Sequence, residues 1–178
     1  SWIVSSKNIT LLVEEFNLTD FDNYDIKFAT TIKIYNIFKK MISIYNLDLP
    51  QISKYLSDNN LTMIGEYVGE HCSTHIIDYS EEIIIFFALI GNYSNIISDP
   101  LFTQNKLKEF NLPFSKIIKS IDFDRNCLTY DILNEKISKY NFRQMNEVGE
   151  GCVFYFSKIN NQINEVFLLT KVKSNEYE

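Results

Sequence analysis

Two lysines two residues apart, Lys171 and Lys173, lie in the run Leu168-Leu169-Thr170-Lys171-Val172-Lys173. Alternate residues of a strand share a face, so the two ammonium groups repel each other unless an anion sits between them. A triphosphate is such an anion; a solvated Lys-x-Lys edge has the same spacing. Upstream, Glu150 stands between Gly149 and Gly151 at the entrance to the apolar run Cys152 to Phe156. Flanking glycines permit close backbone approach to a ligand. A surface glutamate at a turn reads the same way locally. Glu66 closes the run Leu61-Thr62-Met63-Ile64-Gly65, where its carboxylate can accept from a hydroxyl. Phe86 and Phe87 are adjacent in a buried run, so their rings face opposite sides of a strand and one of them belongs to the core. Glu70, His71 and His75 lie close in sequence, but without further ligands the histidines read as polar loop residues rather than a metal cluster.

The elements that must carry these residues follow from periodicity and turn chemistry. Trp2 to Val4 and Ile9 to Val13 predict two short strands around the turn-forming Ser5-Ser6-Lys7-Asn8. From Tyr24 to Tyr45 the apolar residues recur at three and four, which predicts a core-packed helix. Pro50 opens a second short helix through Leu56, which Asp58-Asn59-Asn60 closes. Leu61 to Val68, Ile76 to Tyr79 and Glu82 to Ile90 predict strands, the last fully buried. Asp99 to Phe110 and Asn126 to Tyr140 predict helices, with a strand at Ile117 to Phe123 between them. Cys152 to Phe156 and Val166 to Val172 predict a hairpin with a longer loop through Asn160-Asn161-Gln162. The class is therefore α+β with mostly antiparallel strands.

At 178 residues and 20.9 kDa the chain has the size of one domain, and 46% hydrophobic with 15% aromatic residues excludes a disordered or collagenous polypeptide. The run Ile83 to Gly91 falls far short of the ~20 residues that span a bilayer, so no membrane partner is expected. A net charge of −6 removes any bulk electrostatic case for coating nucleic acid and leaves only a local basic site. The abundance of Ile, Asn, Lys and Tyr with little Ala follows AT-rich coding rather than function. Cys72, Cys127 and Cys152 are odd in number and outside any CxxC spacing, which indicates neither a disulfide framework nor zinc and fits a reducing, cytoplasmic compartment.

Four segments, Trp2-Ile3-Val4-Ser5-Ser6-Lys7, Ile64-Gly65-Glu66-Tyr67-Val68-Gly69, Glu150-Gly151-Cys152-Val153 and Lys171-Val172-Lys173 with Tyr177, stand in an order that resembles the covalent nucleotidyltransferases. Within them the resemblance is to ATP-dependent RNA ligases of the phage and fungal tRNA-ligase type, and His75-Ile76-Ile77-Asp78-Tyr79 resembles a fungal tRNA-ligase segment. It implies the nucleotidyltransferase (ATP-grasp-like ligase) fold, with antiparallel sheets around a nucleotide cleft and flanking helices, and makes residues 1–178 a partial adenylation domain. By the same resemblance Lys171 contacts the nucleotide α-phosphate, Lys173 helps pyrophosphate leave, and Glu150 supports Mg²⁺. Glu66 hydrogen-bonds the ribose and Phe87 stacks on adenine, with Phe86 as the alternative. Lys7 and Tyr177 lie near the pocket; a solvated turn lysine and an aromatic packed under the last strand are their bland readings. The implied cofactors are ATP and Mg²⁺, and the implied partners are ATP and RNA ends.

The family's nucleophile lies in a Lys-x-Asp-Gly motif, which occurs nowhere in these 178 residues. That motif lies a short way before the segment matching Trp2 in the family, and because the sequence opens with Ser1 inside an apolar stretch the expectation is a truncation that removes it. A non-catalytic nucleotide- or RNA-binding module, and an mRNA guanylyltransferase or DNA ligase, are the alternatives.

Overall fold

A computed structural model describes residues 1–6, 9–16, 26–69, 81–93, 97–117, 129–138, 151–160 and 163–173. Its helices start and stop by local chemistry. A 3-10 turn at Ile26–Phe28 leads into α1 (Ala29–Ile44), whose Thr31, Ile32, Tyr35, Phe38 and Met41 recur at three and four and are buried. In α2 (Leu49–Asp58) the Asp48 side chain accepts from the Gln51 N–H at 3.0 Å, and Pro50 sits in the first turn. In α3 (Pro100–Glu109) Asp99 does the same for the Phe102 N–H at 2.9 Å, ahead of Pro100. An acidic N-cap with proline just inside satisfies an orphan donor and presets φ. All three helices are followed by an asparagine with positive φ: Asn46 at 51°, Asn60 at 52° and Asn111 at 57°. Asparagine tolerates the left-handed region, and in a chain with only 5 glycines it takes the place glycine usually holds after a helix.

Among the described residues the strands form three two-stranded antiparallel sheets. β1 (Trp2–Ser5) pairs with β2 (Thr10–Val13), and their hairpin leans on α1 through Trp2 against Phe38 and a hydrogen bond from the Thr31 hydroxyl to Ser6 Oγ at 2.9 Å. β3 (Leu61–Val68) pairs with β4 (Ile83–Gly91). On one face of that hairpin Ile84 and Phe86 enter the main core with Ile37, Phe38 and Met41 of α1 and Leu107 of α3. Phe38 and Phe86 meet edge to face, with ring centroids 6.2 Å apart.

The edge of β4 away from β3 is covered by side chain and loop. The Ile84 N–H approaches Met41 Sδ at 3.5 Å, and the Phe86 N–H donates to the Pro113 carbonyl at 2.9 Å. The Ser115 and Ser98 N–H groups, each at 2.9 Å, donate to the carbonyls of Phe86 and Leu89. An open strand edge would otherwise present unpaired backbone groups.

The last third builds a second cluster. α4 (Tyr130–Ser138) packs on β6 (Ile163–Lys173), which pairs with β5 (Gly151–Asn160). Leu133 and Val172 are buried there, with Cys152, Phe154 and Phe156 against them. Both strands run further than the apolar pattern predicts, to Asn160 opposite Ile163, so the expected longer loop shrinks to two residues; ladder pairing carries on through polar residues that hydrophobicity does not register.

The expected α+β class with antiparallel pairing is what the fold displays. Most expected elements coincide with observed ones to within a few residues. Ile117 is not in a strand, whereas 118–123 and the expected strand Ile76 to Tyr79 lie outside the described residues.

Candidate functional site

Glu66 and Phe87 belong to one hairpin. Gly65 stands opposite Phe86 and Glu66 opposite Ile85, but Ile64 stands opposite Ala88, so Phe87 is an extra residue in the ladder. Such a bulge leaves its residue unpaired and re-aims the strand. Phe86 points into the core at 5% exposure, so it is the core member of the aromatic pair, and Phe87 is only half-buried. Glu66 is exposed, on the face opposite the core-facing Tyr67. Gly65 has a packing reason to be glycine: a Cβ there would sit 2.7 Å from Ile84 Cγ2.

Lys171 belongs to the other hairpin, exposed and opposite Val153. The buried Val172 and its partner Cys152 occupy the α4 face, so alternation turns Val153 and Lys171 to the opposite face. Position 173 follows two residues on, opposite Gly151. Tyr155, two residues beyond Val153, shares the lysine face and stands opposite Leu169. Its hydroxyl donates to the carbonyl of Phe87 at 3.2 Å. The hairpin face that carries Lys171 is therefore the one that meets β4, at its bulged residue. Lys171 is the diagonal neighbour of Tyr155, a relation that spans roughly 7–8 Å in antiparallel pairs. Burial pushes the Tyr155 phenol and the Cys152 thiol above their ordinary pKa values.

Glu150, Lys7 and Tyr177 lie outside the described residues, as do Glu70, His71, His75 and Asp78, and of Lys173 only the strand position is described. Three predicted site residues are thus described with their side chains: Glu66 and Phe87 on the β3–β4 hairpin and Lys171 on β6. Among the described residues no three His, Cys, Asp or Glu side chains converge as a protein-built metal cage requires. A Mg²⁺ ion that keeps waters and bridges to substrate phosphates needs only one or two carboxylates. A surface depression of about 500 Å³ lies elsewhere, lined by Ile44, Tyr45, Lys108, Asn111 and Phe114 among others, and none of the predicted residues borders it.

Two features escape sequence reading. Tyr155 shares the parity of Val153, and a half-buried tyrosine hydroxyl generally has a partner, but which carbonyl it reaches, 68 positions away, is not written in local pattern. The second is a cluster at the far end of β3. Glu82 Oε1 accepts from the Tyr67 hydroxyl at 2.7 Å and pairs with Lys33 Nζ at 2.8 Å, while Lys33 also lies 5.0 Å over the Tyr67 ring. The hydrogen bond to Glu82, and then that to Tyr67, holds the Lys33 pKa well above the ordinary lysine range. Lys54 and Lys106 are pushed the same way by Asp58 and Glu109.

Comparison with models of known protein families, with curated proteins and with solved structures gives no match to this chain.

Proposed function

We propose that the chain is the nucleotide-binding part of an adenylation domain of the ATP-dependent RNA ligase type. The observation that carries the reading is the Tyr155 hydroxyl on the Phe87 carbonyl, because it sets the Lys171 face of one hairpin against the strand bearing the candidate base-stacking ring. An aromatic surface for a purine beside a strand cation for phosphate is the chemical minimum for holding a nucleoside triphosphate. Glu66, exposed on the neighbouring strand, supplies a carboxylate for a ribose hydroxyl, and Glu150 supplies one for Mg²⁺ carried in with the phosphates.

In this reading the whole reaction is adenylation of a lysine by ATP with release of pyrophosphate, transfer of AMP to an RNA 5′-phosphate, and attack by a 3′-hydroxyl that forms the phosphodiester and releases AMP. Lys171 and Lys173 serve the first step, where negative charge grows on the α-phosphate and the leaving oxygens. The nucleophile is not among these residues. A second reading for the chain by itself, that it binds the nucleotide without becoming adenylated, is favoured by the absence of Lys-x-Asp-Gly from the 178 residues.

Titration of the purified chain with ATP·Mg²⁺ tests the proposal. Saturable binding is expected, with Lys171→Ala and Lys173→Ala each weakening it by roughly tenfold or more, as loss of a charge-assisted contact does. Thermal unfolding of the same variants moves within about 0.5 kcal/mol. Absence of binding at millimolar ATP, or parent-like affinity in both folded variants, overturns the reading. A preference for GTP redirects it to a guanylyltransferase.

A further inference from the structure

The described residues hold two apolar clusters, one joining α1, α2, α3 and the β3–β4 hairpin, the other joining α4 with β5 and β6. The Tyr155–Phe87 hydrogen bond crosses from one to the other. Its acceptor is not arbitrary. Phe87 is the one residue of β4 between Ile83 and Gly91 that the ladder to β3 skips, and a partly buried carbonyl that loses its ladder partner requires another donor. The donor comes from the hairpin face that carries Lys171, one diagonal step from that lysine.

We infer that Tyr155 is a positioning residue: it latches the α4–β5–β6 unit onto the β4 bulge and so sets where Lys171 stands relative to Phe87. The latch itself follows from the fold; its effect on nucleotide rests on the function proposed above. Without the hydroxyl the hairpin still folds but loses its register against β4 and the docking contact that resists its opening. The phosphate-binding cation then drifts relative to the base-binding ring.

Tyr155→Phe removes the oxygen and keeps the ring. Native-state amide hydrogen exchange compares the variant with the parent chain, and binding of ATP and of adenosine is measured on both. Exchange of β5 and β6 amides is expected to quicken by ~5-fold or more, the factor that goes with one net hydrogen bond, while β3 amides stay unchanged. ATP affinity falls by a similar factor, whereas adenosine, which has no phosphate for Lys171, binds within about twofold of the parent. A general loss of packing would weaken both ligands together. In Lys171→Ala the further change to Tyr155→Phe should cost ATP little, since the two act through one contact. Exchange in β5 and β6 equal to the parent's overturns the latch. If neither ATP nor adenosine binds the parent chain, the proposed function falls while the exchange comparison still decides the latch. Should the variant not fold, exchange of the parent chain in rising urea decides instead: β5 and β6 opening before β3 and β4 supports a separable unit, and a single joint opening overturns it.

Discussion

Lys33, Tyr67 and Glu82 form one connected polar group, with one carboxylate oxygen serving both a phenol and an ammonium. The cluster ties α1 to β3 and to the residue that leads into β4, so its work is to fix the end of β3 beyond Glu66. Glu82→Gln keeps the shape and removes the charge, and is expected to cost about 1 kcal/mol in chemical unfolding, the scale of a partly exposed pair plus one hydrogen bond. Because Lys33 binds its proton more tightly folded than unfolded, its contribution is fully present below the ordinary lysine pKa of about 10.5 and declines as pH rises from there through the folded value. Unfolding measured between pH 6 and 9 should therefore show a constant difference between parent and Glu82→Gln. A difference that vanishes by pH 8 would contradict the assignment of the lysine as the partner.

At the scale of elements, β3 meets β4 closely because Gly65 and Gly69 have no side chains. A Cβ on Gly69 would lie 2.7 Å from Glu82 Cγ and 2.9 Å from its Cα, so backbone must give way. Gly69→Ala is expected to destabilise by about 1–3 kcal/mol, as overpacking does, and to loosen the Lys33 cluster with it. A parent-like thermal midpoint would show that the strand ends are not in that contact. The helix ends make a different prediction. At Asn111, with φ of 57°, Asn→Gly should be neutral to within a few tenths of a kcal/mol, whereas Asn→Ala should cost about 1 kcal/mol because alanine resists the left-handed region. Equal stabilities for the two variants would contradict the cap. Of these elements α2 was legible to within two residues and β3 to the residue, since Pro50 and Asp58-Asn59-Asn60 punctuate one and turn residues bracket the other. The length of β5 and β6 was not, because the cross-strand ladder extends them through Ser157 to Asn160, where no apolar alternation signals it.

The described residues form an α+β fold with two apolar clusters, and no helix among them is long and apolar enough to cross a membrane. The proposed nucleotide-binding residues are divided in the same way, with Glu66 and Phe87 in the larger part and Lys171 in the smaller. At this scale the expectation is that the 178-residue chain does not form a covalent lysyl-AMP, since it contains no Lys-x-Asp-Gly. Incubation with α-labelled ATP and Mg²⁺ followed by denaturation should leave no label on protein. Label mapped to any lysine would overturn that expectation and make its bearer the nucleophile.

The sequence by itself determined what depends on near neighbours. Helix starts at Asp48 and Asp99, helix ends at asparagine, the alternation that pairs positions 171 and 173, and the burial of one of two adjacent phenylalanines all follow from bonds reaching four residues or fewer. It also supplied the candidate residues, through their types and order. Tertiary structure alone decided that Phe86 rather than Phe87 enters the core, that the ladder bulges at Phe87, and that Tyr155 finds that carbonyl across 68 positions. Those outcomes depend on how α1 packs on β4 and how one hairpin meets another. Such contacts are set by the closure of long loops and the fit of whole surfaces, and local periodicity does not encode them.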